Sequence, residues 1–190
     1  MIPDQLRHAI RVDQTRLLYE QAPGAIFVTL LSAAGLVLTS SQGRGPLAWG
    51  AVMLLLVVAR AVLAWSYSRA ESTADPAANW GRAYTGLVVS NACLFAIWPP
   101  LFMVEAEPVE RLTGCLILGA MAGGAVAVLS VLRWLALLYA VCLLLPGSGV
   151  LLIVGSDAER IAGALGLAFC LTMSFSTRTT NRRIEQALLL

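Results

Sequence analysis

At 190 residues, with 58% hydrophobic and only 13% charged side chains and a mean hydropathy of +0.78, this chain belongs to the bilayer by composition. A span needs about 20 predominantly apolar residues, so most of the length is committed to crossing a membrane and no soluble catalytic domain fits in what remains. The formal net charge of +2 carries no basic patch, and no nucleic-acid partner is expected.

Residues 4–22, "DQLRHAIRVDQTRLLYEQA", contain no breaker and place Leu6, Ile10, Leu17 and Leu18 near one side of a helical wheel. Two readings fit: an amphipathic helix lying on the inner leaflet, or a plain cytoplasmic extension of the first span. Pro23-Gly24 then supplies a bend into the membrane. The uncharged stretch between Glu20 and Arg44 is long enough to span. With some twenty residues and three acids ahead of it, it reads as a retained anchor and not as a removable signal peptide.

Further uncharged stretches follow from Arg82 to Glu105, Arg111 to Arg133, Arg133 to Asp157 and Arg160 to Arg178, and Pro46 to Tyr67 is broken only by Arg60. That makes six spans in an all-α polytopic bundle. Leu112 to Gly155 is far too long for one crossing, so Arg133 and Trp134 are expected at the turn of a tight hairpin, Trp134 as an interfacial anchor. Pro99-Pro100, near the outer boundary of the third span, is expected to be a helix end and Pro146 to kink the fifth, since apolar residues resume through Val154. The sixth span ends near Ser176, after which "STRTTNRRIEQALLL" stays helix-permissive with Ile184 and Leu188 four residues apart, as on a signal output helix. Its Ala-Leu-Leu-Leu finish lacks a helix stop, which favours continuation into a coiled coil. The chain thus divides into an amphipathic helix (1–22), a six-span bundle (23–176) and an outgoing cytoplasmic helix (177–190).

All thirteen basic residues are arginines. Arg7, Arg11, Arg16, Arg69, Arg82, Arg133, Arg178, Arg182 and Arg183 fall on one side; Arg44, Arg111 and Arg160 fall on the other, among Glu105, Glu107, Glu110, Asp157 and Glu159. The positive-inside rule puts both termini in the cytoplasm of a bacterial inner membrane, with three short loops outside.

Enzymatic chemistry finds no foothold. "PGSG" at 146–149 invites comparison with a rhomboid protease's serine loop, but Pro146 stands where that motif has Gly, and the lone histidine, His8, precedes the first span. No intramembrane carboxylate cluster offers a metal site, bis-histidine haem is excluded, and no cofactor or catalytic residue is expected. Cys93, Cys115, Cys142 and Cys170 sit singly in four spans and read as small apolar packing. The fourth span carries "GAMAGG", with Gly119 and Gly123 in GxxxG spacing and Gly124 adjacent, a face for close helix approach either inside the bundle or at a dimer seam. Ala162 and Gly166 form a weaker small-residue row in the sixth.

An Arg-rich lead ending in "RLLYEQAPGAIFVTLLSAAGLVL", an arginine late in the second span, a Gly/Ala-rich fourth span followed at once by a fifth, and the outgoing "NRRIEQALLL" together resemble a known group. It is the six-span, MASE-type N-terminal sensor region of bacterial diguanylate cyclases, cyclic-di-GMP phosphodiesterases and hybrid histidine kinases. The resemblance implies a homodimeric input module whose cytoplasmic helix drives a fused output domain.

Arg60 is the residue that composition does not explain. It lies three residues, or roughly 4–5 Å, to the cytoplasmic side of the second span's midpoint, where a charge costs on the order of 2.5–3.5 kcal/mol. Ser90 and Asn91 of the third span share almost that depth. One reading pairs Arg60 with Asn91 or Ser90 as the floor of a signal site, capped by Trp98 and taking a small amphipathic ligand with a carbonyl or carboxylate. The other is a structural arginine that snorkels past Trp65 to the headgroups. A six-span transporter and a non-sensing anchor remain as competing classes, although the spans lack the acidic or histidine relay that ion coupling needs.

Overall fold

The computed structural model describes residues 4–41, 43–70, 77–129 and 131–188, with side chains from residue 12 to residue 175 apart from 42, 70–78 and 130. Seven α-helices are described: α1 (Asp4–Glu20), α2 (Ala22–Thr39), α3 (Gly45–Ala70), α4 (Ala77–Trp98), α5 (Pro108–Leu129), α6 (Arg133–Val154) and α7 (Asp157–Leu188). Helices α2 to α7 each contain a segment long and apolar enough to cross a membrane. The chain is an all-α polytopic membrane protein, as its charge spacing predicts.

The helix ends follow from local chemistry. Between α1 and α2 the break falls at Gln21, slightly earlier than Pro23-Gly24, because proline suits the first turn of a helix, where its missing N–H is not needed. The Arg133 hairpin forms as expected. Leu132 N–H donates to Leu129 O at 2.9 Å, and Arg133 and Trp134 are exposed at the turn. α6 runs unbroken through Pro146 to Val154. In the third span the α-helix ends at Trp98, just before Pro99-Pro100, as expected, and a five-residue π-helical turn, Pro99–Met103, prolongs the crossing. Two prolines deprive the α-helical ladder of adjacent N–H donors, and a wider turn accommodates that loss.

α7 opens with a capping box. Glu159 reaches back to accept from Ser156 N–H at 2.7 Å and from Ser156 Oγ at 2.8 Å. The helix then continues without interruption for 32 residues, roughly 48 Å at 1.5 Å per residue. Only its first part, Asp157–Phe175, is apolar enough to span. The side chains of Ile184 and Leu188 lie outside the described residues.

One end of the bundle gathers α1, the ends of α3 and α4, and the α5–α6 hairpin. Tyr19 stacks on Tyr67 with ring centroids 3.9 Å apart and donates to Trp80 O at 3.1 Å, while Gln14 Nε2 donates to Val131 O at 3.4 Å. Burial pushes the Tyr19 phenol well above the usual tyrosine range, with Tyr84 and Tyr67 adding to it, so the hydroxyl stays a proton donor. The described part of α1 therefore docks on protein, with Leu18 buried, instead of resting only on lipid. The side chains of Leu6 and Ile10 lie outside the described residues. At the opposite end Arg111 of α5 and Glu159 of α7 form a bidentate ion pair at 2.6 and 3.4 Å. The segment ends that share a charge character thus share an end of the bundle.

Close helix approach does not use the GAMAGG face. A methyl group added at Gly119 or Gly124 would meet nothing within 4 Å, and one at Gly123 only Phe169 at 3.9 Å. The tightest contact between helices is that of α6 with α7, where a methyl at Gly163 would lie 2.9 Å from Ser148 O and one at Gly166 would collide with Ser148 Oγ.

Candidate functional site

Arg60 is 2% exposed, so it does not snorkel. The cation that reaches Trp65 is Arg69, whose guanidinium carbon sits 3.8 Å from the indole centroid. Arg60 turns into the bundle and donates from Nη2 to the Tyr84 hydroxyl at 3.1 Å, leaving its buried Nε without a partner. Among the described residues it has no carboxylate partner. The sequence explains why: none of the spans around it carries an aspartate or glutamate at its depth.

The polar residues expected beside Arg60 are arranged differently. Asn91 is fully buried, but it accepts from the Tyr139 hydroxyl at 2.7 Å through Oδ1 and donates through Nδ2 to Met53 Sδ at 3.0 Å. Ser90 is exposed. The expected Arg60–Asn91 or Arg60–Ser90 bond is therefore replaced by Arg60–Tyr84. Tyr84 lies two turns before Asn91 on the same face of α4, about 10 Å nearer the α1 end at 1.5 Å per residue. The depth argument located Arg60 at its Cα, whereas the guanidinium sits at the end of a long side chain drawn toward that end. Trp98 is buried elsewhere, against Trp49 and Phe102 at centroid distances of 4.5 and 4.6 Å, and does not cap Arg60.

Beside the guanidinium opens a cavity of about 320 Å³ in the half of the bundle nearer α1. Its polar lining is Arg60 from α3, Thr29 from α2 and Tyr139 from α6. The two hydroxyl protons are already engaged, Thr29 Oγ1 on Ala25 O at 2.8 Å and Tyr139 on Asn91. The remaining wall is apolar, with Val88, Met121, Val128 and Leu129. Its mouth lies between α2 and α5, where Gly24, Val28 and Gly124 line the cavity and are exposed on the bundle's outer face. Hydropathy assigns that face to lipid. Tyr84, Tyr139 and Thr29 escaped the sequence reading; the signal was the seven-residue spacing of Tyr84 and Asn91, which puts two polar groups on one face of an otherwise apolar helix.

A second groove of about 420 Å³ lies between α5, α6 and α7, lined by Cys115, Gly119, Ser148 and Phe169 among apolar neighbours, and carries no charged group. The four cysteines are free. No family model matches the chain, and no curated protein or solved structure matches it.

Proposed function

We propose that this chain is the membrane-embedded sensory and dimerisation module of a bacterial signal-transduction receptor of the MASE type, seated in the inner membrane with both termini cytoplasmic. On this reading it is not itself an enzyme. Occupancy of the Arg60 cavity is the input, and α7 is the rod that carries the result to a fused cytoplasmic diguanylate cyclase, phosphodiesterase or kinase domain. The observation that supports this best is the buried, unneutralised guanidinium in the wall of a lipid-facing cavity. A plain anchor has no use for a charge whose insertion is costly, and a transporter would be expected to place its polar groups along a path through both halves of the bundle.

The test joins α7 in frame to a diguanylate cyclase domain and follows cellular cyclic-di-GMP as membrane-soluble extracts are added. The expected result is an extract-dependent change that Arg60→Leu abolishes while membrane insertion is retained. An unchanged response in Arg60→Leu removes the cavity from the mechanism. A silent fusion with intact cyclase identifies an anchor, and solute flux into proteoliposomes identifies a transporter. Cysteine labelling that finds the far end of α7 outside the cell overturns the orientation.

A further inference from the structure

We infer that the Arg60 cavity binds a single-chain anionic amphiphile, its carboxylate on the free edge of the guanidinium and its alkyl chain along the apolar trough between α2 and α5. This deepens the sensory reading and rests on it for what occupancy achieves, though not for binding itself.

Three observations select the chemistry. First, the only lining side chain with unused donors is Arg60, which spends one Nη2 N–H on Tyr84, while the Thr29 and Tyr139 protons point at acceptors of the protein. An acceptor is therefore required of the ligand, and a cation is repelled. Second, Tyr84 satisfies one N–H but brings no countercharge, and no carboxylate among the described residues does so either. A neutral acceptor would complete a hydrogen bond and leave the charge bare; an oxyanion completes both, and charge-assisted bonds are roughly twice as strong as neutral ones. Third, the volume and its mouth limit the rest of the molecule. At ~30 Å³ for a water-sized group, 320 Å³ holds a headgroup and a chain of about eight carbons. That leaves room for one chain and not two. Because the mouth opens through exposed Gly24, Val28 and Gly124 on the lipid-facing side, the ligand arrives laterally from the bilayer.

Glycine 124 gives a means of closing the cavity without touching the arginine. A Cβ there meets no atom within 4 Å, so Gly124→Phe should be tolerated by the fold and should place its ring at the mouth. Gly119→Phe, on the same helix but outside this cavity, is the control.

The experiment reconstitutes the full chain in phosphatidylcholine nanodiscs with a decanoate probe bearing a diazirine on its terminal carbon, and maps the crosslinks by mass spectrometry. Saturable labelling is expected on the α2 and α5 peptides that line the cavity. Decanoate should compete, and decanol about ten-fold less well. Labelling should fall about ten-fold in Arg60→Gln and to the same degree in Gly124→Phe, survive in Gly119→Phe, and return in part in Arg60→Lys. Labelling indifferent to Gly124→Phe, or decanol competing as well as decanoate, overturns the assignment. Should Arg60→Gln fail to insert, Gly124→Phe decides alone. Diacyl phosphatidylglycerol competing as well as decanoate would make a bilayer lipid the occupant and overturn the single-chain assignment. Specific labelling with no response from the cyclase fusion refutes the sensory reading and leaves the site standing; a responsive fusion without specific labelling does the reverse.

Discussion

Replacing Arg111 with methionine should cost far more than any exposed charge on this protein. Glu159 is 1% exposed, and it holds Arg111 through contacts of 2.6 and 3.4 Å while its second oxygen also takes both donors of Ser156. Arg111→Met leaves a buried carboxylate with only the cap to satisfy it. Breaking one side of a buried pair costs about 3–5 kcal/mol. The pair sits at the rim of the bundle, where rearrangement admits water, so the lower end applies, about 3 kcal/mol. Glu159→Gln should cost less than this, because Gln keeps an acceptor for Ser156. The double variant should cost clearly less than the sum of the singles, with a coupling of about 1.5–3 kcal/mol for charged hydrogen bonds. The exposed Arg16–Glu20 pair is the internal standard: its side chains are 63% and 55% exposed, and Glu20→Ala should shift stability by no more than about 0.5 kcal/mol. Unfolding by SDS in mixed micelles, followed by tryptophan fluorescence, reads all four variants. An Arg111→Met effect as small as that of Glu20→Ala, or strict additivity in the double variant, refutes the idea that this pair fastens α5 to α7.

Three further outcomes are expected. Gly166→Val, which drives a side chain into Ser148, should destabilise by about 1–3 kcal/mol in the same titration, whereas Gly119→Ala, over open space, should be neutral or stabilising by up to about 1 kcal/mol. Asn91→Leu strands the Tyr139 hydroxyl and should cost about 1–3 kcal/mol; adding Tyr139→Phe should recover part of that loss in the thermal midpoint of the purified protein. Tyr19→Leu removes both the Tyr67 stack and the Trp80 hydrogen bond and should speed tryptic cleavage at Arg16 in inverted membrane vesicles several-fold, read on gels.

The fold was legible because two strong signals coincide along the chain. Each apolar run between charges has the length of a crossing, and the single interruption at Arg133 falls where a hairpin is needed. What the sequence concealed is the geometry between helices. The stronger motif, Gly119, Gly123 and Gly124, faces open space, while a close approach is made in the sixth span at Gly163 and at Gly166 of the weaker row, because motif spacing says nothing about which face α6 presents to α7. Likewise the prolines at 99 and 100 mark the end of the α-helix, but not the π-helical turn that absorbs their missing donors and carries the chain one more turn toward the surface.

At the site, the sequence identified the anomalous residue but not its partners, and the reason is physical. A depth comparison ranks residues by their Cα positions, and Arg60, Ser90 and Asn91 agree on that scale. A guanidinium, however, reaches several ångströms from its Cα and settles where a donor-accepting group and room for its remaining N–H coincide. Asn91 is held by other partners farther along α4, its oxygen accepting from Tyr139 and its amide donating to Met53. Tyr84 offered a hydroxyl with a free lone pair. One hydroxyl neutralises no charge, so the arginine is anchored yet electrostatically incomplete. That incompleteness, and not the presence of a polar residue in a span, is what the proposed ligand site rests on.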